Sequence, residues 1–313
     1  MTKLYMAPLE GITGYIFRNA LFDCFGEGID RFYTPFLMPH VKRAFTDKEI
    51  NDIMWEHNSR MNVVPQVMTI VADDFNRVKP CLRDMGYAEI NINLGCPSRT
   101  VASKGRGAGA LGNLEALDRF LDGVFADGDK NISVKSRIGI YDPEEFGPIM
   151  EIYNKYPIKE LTIHPRVLRE VYGGVPHVDI FERAFSESHM PVCYNGDVRS
   201  VSDYRSIVER FNKDDRQLSG VMIGRGALGN PGLFREIATG RIMTNEEVAA
   251  FLDRLLCDYS KVFFGQTPVL FKMKEMWSFL KEYYSEDQKV LKKLMKSKTI
   301  EEYKIYEKMI LGV

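Results

Sequence analysis

One cysteine lies in a loop whose composition favours a well-placed thiol. Cys96 stands between Gly95 and Pro97, which restrict the backbone on both sides of it. A free thiol with an ordinary pKa near 8.5 is about 97% protonated at neutral pH, so it suits a proton donor. A nucleophilic role would require a nearby base to ionise the thiol. The loop continues into the glycine-rich residues 103–109, and long loops of this kind are often functional.

Four polar residues alternate with aliphatic ones in short strand-like runs. They are Lys135, Arg137, His164 and Asn195. Successive side chains of a strand point to opposite faces, so each of these residues lies on the face opposite its aliphatic neighbours. Burial without a partner costs on the order of 2–7 kcal/mol for a neutral polar group and more for a charge. We therefore expect the four side chains to converge on a binding site; an internal network of ion pairs and hydrogen bonds is the alternative.

Two glycine-containing loops predict an anion site. They are Asn195-Gly196-Asp197 and Gly224-Arg225-Gly226. Glycine lets backbone N–H groups approach a phosphate closely, and the guanidinium of Arg225 adds a charged donor. Asn230 and Pro231 then resemble the N-cap and first turn of a helix. The alternative is that both loops are ordinary glycine turns.

Eight short apolar runs supply the elements that must position these residues. They cover residues 4–7, 31–36, 62–68, 89–94, 132–138, 160–164, 191–195 and 220–224. Their starting points are 27 to 43 residues apart, and stretches of helical period lie between them. Alternating strands and helices indicate parallel βαβ units, and eight units predict a closed (β/α)8 TIM barrel of the α/β class. An open doubly wound sheet is the alternative, but it gives no reason to stop at eight.

The pattern changes after about residue 240. Thr244 and Glu247 have the spacing of a capping box, and the remaining sequence has helical periodicity. We predict a barrel domain over residues 1–240 and a small all-helical domain over residues 241–313.

Composition excludes several classes of protein. The 313 residues carry 42 basic and 43 acidic side chains, so any nucleic-acid contact must come from a local patch. We expect no membrane span, because no apolar run is long enough to cross a bilayer. The five cysteines form no disulfide framework, and they and the five histidines do not cluster at ligand spacing, so we expect no metal site and a cytoplasmic protein. Nothing in the sequence requires more than a monomer.

Seven motifs, in order along the chain, resemble those of the tRNA-dihydrouridine synthases. They are Met6 to Thr13, Gln66, Asn93 to Pro97, Val134 to Arg137, Thr162 to His164, Asn195 to Asp197 and Met222 to Gly226. The resemblance extends into the helical region, at residues 264–266 and 272–277. It implies a flavoenzyme that reduces uridines in tRNA to 5,6-dihydrouridine.

The family's cofactor is FMN, for which the resemblance implies a site over the barrel mouth. The matching flavin-contacting residues are Pro8, Leu9, Glu10, Gln66, Lys135 and His164. The phosphate would lie on Asn195, Gly196, Asp197, Gly224 and Arg225. NADPH is expected to reduce the FMN, which then gives a hydride to C6 of the uracil ring while Cys96 protonates C5.

The resemblance also implies residues that bind the tRNA substrate. These are Asn93, Arg137 and Arg166 at the mouth, and Lys272 and Lys274 in the helical region. Residues 270–298 hold eight lysines and several aromatic residues, a composition that fits RNA but also an ordinary solvated helix. The sequence does not predict which uridine is reduced.

Three alternatives remain at this point. An FMN-dependent dehydrogenase of a free pyrimidine, of the dihydroorotate or dihydropyrimidine type, also carries a Cys-Pro loop but has no need of a helical domain. A flavin-free aldolase-type barrel would use Lys135 as a Schiff base. A non-catalytic RNA-binding protein could keep the barrel.

Overall fold

Eight parallel strands close into a barrel in the order of the chain, with β1 hydrogen-bonded to both β2 and β8. The computed structural model describes residues 2–213, 216–284 and 288–313. The strands are β1 Lys3–Met6, β2 Arg31–Leu37, β3 Val63–Val67, β4 Ile90–Leu94, β5 Ile132–Arg137, β6 Leu161–His164, β7 Val192–Tyr194 and β8 Gly220–Ile223. Each bound lies within one residue of the predicted run. The (β/α)8 TIM barrel is therefore confirmed, and the open sheet is excluded.

Helices surround the barrel and continue beyond it. Up to residue 240 they are α1 Tyr15–Phe25, α2 Asp47–Ile53, α3 Trp55–Asn58, α4 Ala72–Asp84, α5 Arg99–Ala102, α6 Leu114–Phe125, α7 Phe146–Tyr153, α8 Val178–Glu187, α9 Val201–Phe211, α10 Arg225–Gly229 and α11 Leu233–Thr239. Short 3₁₀ helices cover Gly107–Gly112, Pro143–Glu145 and Leu168–Glu170. The helical C-terminal region holds α12 Asn245–Val262, α13 Gln266–Leu280, α14 Gln288–Lys296 and α15 Ile300–Leu311.

Of two helix starts predicted from the sequence, one is confirmed and the other is wrong. Thr244 and Glu247 form the capping box that begins α12. The prediction for Asn230 and Pro231 is wrong, because Asn230 ends α10 and the next helix begins only after Gly232.

The two faces of the barrel wall bury different residue types. The outward aliphatic side chains, such as Ile92, Val134 and Ile163, belong to a large apolar cluster between strands and helices. The inward side chains form a small separate cluster with polar neighbours. The register places Lys135 beside Asn93 on one strand and beside Thr162 on the other. The predicted strand parity is confirmed, and the polar side chains therefore face the barrel interior.

The C-terminal helices pack against the start of the barrel. The ring of Phe251 in α12 meets those of Phe17 and Phe25 in α1 edge-on, with ring centroids 6.1 and 5.7 Å apart. Phe251 and both partners are fully buried, so the contact joins the helical region to the barrel through one apolar core. Among the described residues, no helix combines the length and the apolar character needed to cross a bilayer.

Candidate active site

A cavity of about 530 Å³ opens at the carboxyl ends of the barrel strands. In parallel barrels the loops at this end carry the functional residues. Eleven of the lining residues come from the sequence-predicted cofactor set: Pro8, Leu9, Glu10, Gln66, Lys135, His164, Asn195, Gly196, Asp197, Gly224 and Arg225. Cys96, Asn93 and Arg137 line the same space. The structure thus brings most of the predicted site together in one cavity of ligand size.

The Cys96 loop is held by the side chain of Asn93 and by the close approach of Gly107. The side-chain oxygen of Asn93, at the end of β4, accepts the N–H groups of Gly95 and Cys96 at 3.0 and 2.9 Å. Gly107 follows with a φ of +55°, and a Cβ there would lie 2.8 Å from the carbonyl oxygen of Cys96. The thiol is half-buried, and burial raises its pKa above the ordinary value. The group is consequently protonated at neutral pH, as a proton donor must be.

Two cations from β5 face the cavity. Burial, followed by the charge of Arg137, lowers the pKa of Lys135 to about 8. Burial also lowers the pKa of Arg137 to about 10. The Arg137 guanidinium donates to the carbonyl oxygens of Gly95 and Val167 at 3.0 and 2.9 Å, and to that of Val171. Both residues remain cationic at neutral pH, and neither has an acidic partner within ion-pair distance among the described residues, so the cavity favours an anionic ligand.

His164 ends β6 with one unsatisfied ring nitrogen. The ring is hydrogen-bonded to the backbone of Asn195, while Nε2 is buried and has no partner in the described part of the chain. Burial and the nearby charge of Lys135 lower the pKa of His164 well below its usual range. The ring is therefore neutral, and Nε2 is free to bind a ligand group in the cavity.

The two glycine loops approach each other closely. A Cβ on Gly196 would lie 2.0 Å from the Tyr194 hydroxyl, and one on Gly226 would lie 2.1 Å from the carbonyl oxygen of Val198. A larger residue at Gly226 would therefore require a shift of the backbone between the two loops, and one at Gly196 would require the Tyr194 side chain to move. Arg225 lies beside them as the first residue of α10.

Asp197 organises the charges of these loops. Its carboxylate accepts from Arg166 at 2.7 and 2.9 Å and from Arg225 at 2.8 Å. Burial raises the pKa of Asp197, but the two guanidinium groups more than offset this effect, so the pKa is lowered. Arg225 is thereby held at the edge of the cavity.

The side chains of three predicted substrate-binding residues already bind other groups of the protein. Arg166 is fully buried, and besides Asp197 it binds the carbonyl oxygens of Gly173 and Gly174, so it shapes a loop and does not line the cavity. Lys272 donates to the carbonyl of Gly11 and to Glu275 beside the β1 turn. Lys274 donates to the carbonyl of Ser297 within the helical region, away from the mouth.

Sequence reasoning missed three aromatic residues of the cavity, Phe36, Tyr172 and Phe279. Tyr172 lies between the guanidinium carbons of Arg137 and Arg225, whose distances from its ring centroid are 5.6 and 4.6 Å. Phe279 of α13 reaches the cavity from the helical region. No periodic signal marks Tyr172, because it follows Val171, whose backbone has the unusual φ of +52°. Within residues 2–213, 216–284 and 288–313, no group of His, Cys, Asp and Glu side chains is arranged to hold a metal ion.

Comparison with known proteins identifies the family. The family model described as dihydrouridine synthase (Dus) matches residues 5–307. A tRNA-dihydrouridine(16) synthase from Cupriavidus necator is 30% identical over 245 residues, which cover 74% of this chain and 72% of that protein. A tRNA-dihydrouridine synthase B from Shewanella oneidensis is 29% identical over 259 residues, covering 79% and 76%.

A solved structure agrees at the level of the fold. A variant of NCR from Zymomonas mobilis matches with a TM-score of 0.50 and 12% identity, and the match covers 80% of this chain and 90% of that one. Identity this low supports the barrel architecture alone. The family model covers nearly the whole chain, from the first strand to the last helix. The chain therefore belongs to the dihydrouridine synthase family, which makes it an oxidoreductase.

Proposed function

We propose that this protein reduces uridines in tRNA to 5,6-dihydrouridine, with FMN in the mouth cavity and NADPH as the electron donor. Family membership supports the reaction, and the names of the relatives support tRNA as the substrate. The observation that carries the proposal is the arrangement of the cavity. A protonated thiol, two cations without acidic partners and an orphaned histidine nitrogen surround one space of about 530 Å³.

The residues present fit FMN. His164 offers a buried nitrogen without a partner, and Lys135 offers a positive charge that costs free energy until an anion approaches. The glycine loops give a phosphate access to the backbone, with Arg225 beside them. Gln66 and the turn of residues 8–10 complete the proposed contacts. When bound, FMN would supply the hydride for C6 of the uracil ring, after reduction by NADPH.

The chain's own residues supply the remaining chemistry. The thiol of Cys96 gives its proton to C5 of the uracil ring, and burial keeps that proton in place at neutral pH. The positive charge of Lys135 stabilises negative charge that develops in the cavity during hydride transfer. Asn93 and Arg137 line the cavity and are proposed to hold the uracil. A base stacked inside folded RNA cannot reach these groups, so the uridine must be turned out of the tRNA.

We propose the same two domains, with the same roles, that the sequence predicts. Residues 1–240 form the proposed catalytic domain and residues 241–313 the proposed tRNA-binding domain. Phe279 of α13 lines the cavity and Lys272 contacts the β1 turn, so the helical region borders the mouth where a tRNA would enter. This placement favours a macromolecular substrate over a free pyrimidine.

Incubating the purified protein with NADPH and unmodified tRNA tests the function. We expect a yellow protein with flavin absorption, and dihydrouridine in the tRNA by mass spectrometry of its nucleosides. Uracil, dihydrouracil and dihydroorotate serve as competing substrates. Turnover of a free pyrimidine without any reaction on tRNA would establish the alternative enzyme, and a colourless protein that binds no added FMN would exclude flavin chemistry.

A further inference from the structure

A continuous series of buried polar side chains runs below the cavity through the barrel interior. Ser133 in β5 donates its hydroxyl to the carboxylate of Glu89 at 2.7 Å. The amide nitrogen of Asn91 donates to the Ser133 oxygen at 2.9 Å, and that of Gln66 donates to the Asn91 oxygen at 2.8 Å. The four residues are between 0% and 7% exposed, so water cannot replace these hydrogen bonds.

The same series continues to the Cys96 loop. The amide nitrogen of Asn93 donates to the Gln66 oxygen at 2.6 Å. The Asn93 oxygen accepts the backbone N–H groups of Gly95 and Cys96. We call the residues Glu89, Ser133, Asn91, Gln66 and Asn93 the amide chain. It connects the amino-terminal side of the barrel to the loop that carries the thiol.

Both ends of the amide chain impose the same direction on its hydrogen bonds. The carboxylate of Glu89 can only accept, and the backbone N–H groups at the other end can only donate. Reversing any one amide would place two donors or two acceptors against each other. The orientation of Gln66 and Asn93 is therefore determined from both ends, by Ser133 and Glu89 away from the cavity and by the backbone of the Cys96 loop beside it.

Ion pairs hold the lower end of the amide chain in place. Glu89 pairs with Arg31 at 3.3 Å and with Lys159 at 3.0 Å. Among the residues that the structure describes, Ser133 is the single link between this anchored carboxylate and the first amide. Neither Ser133 nor Glu89 lines the cavity, so any effect of Ser133 on the reaction must pass through the amide chain.

We propose that Ser133 is a positioning residue that acts through the amide chain to hold the Cys96 thiol in its reactive place. The proposal rests on the proposed function to the extent that Cys96 is the proton donor. Removing the Ser133 hydroxyl leaves the Asn91 amide nitrogen without an acceptor, and the amide chain keeps only its anchor at the backbone of Gly95 and Cys96. The Asn93 oxygen, which orients the loop backbone, is then held less firmly.

Ser136 provides a matched control on the same strand. It is fully buried, but on the outer face, where its hydroxyl bonds to that of Tyr153 at 2.8 Å. Ser136→Ala therefore removes a buried hydroxyl outside the amide chain. Ser133→Thr keeps the hydroxyl and should restore the behaviour lost in Ser133→Ala.

The experiment compares these variants with the wild type as the purified full-length protein. The rate of Cys96 alkylation by iodoacetamide is followed by mass spectrometry, together with kcat and KM for tRNA and the melting temperature. We expect Ser133→Ala to change the alkylation rate roughly threefold or more and to lower kcat roughly tenfold with little change in KM. Ser136→Ala should lose similar stability while keeping wild-type alkylation and kcat.

The outcome decides the proposal separately from the function. Wild-type alkylation and kcat in a folded Ser133→Ala variant would overturn the positioning role. If that variant does not fold, Asn91→Leu breaks the amide chain at its centre and the same comparison applies. Absence of dihydrouridine from the wild-type reaction would contradict the proposed function, whereas the alkylation rates would still test the amide chain.

Discussion

At the scale of single residues, burial in the cavity disfavours the charged forms of Lys135 and Arg137. Burial, followed by the charge of Arg137, lowers the pKa of Lys135 from 10.5 to about 8, which corresponds to a cost of about 3 kcal/mol for the charged ammonium. Strongly shifted pKa values of this kind are typical of binding sites, where a ligand of opposite charge stabilises the buried charge. An anion in the cavity would raise the pKa of Lys135 again and be bound more tightly for that reason.

The thiol gives the most direct test at this scale. Cys96→Ala removes the proposed proton donor while leaving the cavity open, so flavin should remain bound. A general acid contributes roughly 10²–10⁴ in rate, and we expect a loss of that size in dihydrouridine formation under single-turnover conditions. Cys257→Ala, on the exposed surface of α12, is the matched control and should react at the wild-type rate. Unchanged product formation by Cys96→Ala would rule out the proton-donor role.

The buried histidine predicts a dependence of stability on pH. The folded protein keeps His164 neutral, whereas the unfolded chain takes up a proton near pH 6.5. The unfolded state therefore binds more protons below that pH, and the free energy of unfolding falls by up to about 1.4 kcal/mol per pH unit as the solution is acidified. His164→Gln should reduce this slope in urea titrations between about pH 5 and pH 7.

His177 supplies the control for that measurement. It is half-buried and bonds to Glu170 at 2.7 Å outside the cavity. His177→Gln should keep the steep slope that His164 causes. Equal slopes in the wild type and in His164→Gln would show that the ring takes up a proton equally well in the folded and the unfolded state, which would contradict the neutral buried ring.

Strand parity predicts which side chains face the interior of the barrel. It does not predict which of them remain free to bind a ligand. Lys135 and His164 follow from parity, and both line the cavity. The guanidinium of Arg166 already binds Asp197 and two carbonyl oxygens, because the loop after β6 brings these groups to it. The sequence contains no signal for that path. Such contacts between distant loops are the part of the site that only the structure supplies.

At the scale of elements, the loops after β7 and β8 depend on Gly226 for close contact. Gly226→Ala would place a methyl group 2.1 Å from the carbonyl oxygen of Val198, so the two loops must separate. We expect a loss of about 1–3 kcal/mol in the free energy of unfolding, as for an overpacked site, together with weaker FMN binding. Isothermal titration of the flavin-free protein with FMN measures the second effect.

Gly147 in α7 is the corresponding control. A Cβ there meets nothing within 4 Å, and the residue has helical surroundings. Gly147→Ala should raise the free energy of unfolding by about 0.5–1 kcal/mol and leave FMN affinity unchanged. Wild-type FMN affinity in Gly226→Ala would contradict the proposal that the loops after β7 and β8 bind the phosphate.

Strand positions were predictable to within one residue, whereas some helix starts were not. The strands are short apolar runs with turn residues at their ends, and the parallel barrel buries both faces of them. The Asn-Pro signal at residues 230–231 instead falls in the turn between α10 and α11. There the side-chain nitrogen of Asn230 donates to Glu236, so tertiary contacts replace the expected cap.

At the scale of the whole molecule the net charge is −1, but the helix α14 is strongly basic. α14 buries Val290, Leu291 and Leu294 on one side, and its four lysines are exposed. They are Lys289, Lys292, Lys293 and Lys296. The lysines predicted from the sequence, Lys272 and Lys274, are two residues apart and thus point to different sides of their helix, where each finds a carbonyl acceptor. The exposed face of α14 is therefore the better candidate for phosphate contacts.

This comparison yields a prediction about tRNA affinity and its salt dependence. Replacing Lys289, Lys292 and Lys296 together by glutamine should weaken tRNA binding and reduce the slope of log K against log salt by about 0.7–0.9 per lost phosphate contact. Folding should not change, because these side chains are exposed. Lys130→Gln is the control, since Lys130 is exposed just before β5, at the end of the barrel opposite the cavity. Filter-binding titrations over a range of salt concentrations measure both quantities. If the triple variant kept the wild-type slope, α14 would not contact the RNA backbone, and the proposed tRNA-binding surface would have to lie elsewhere.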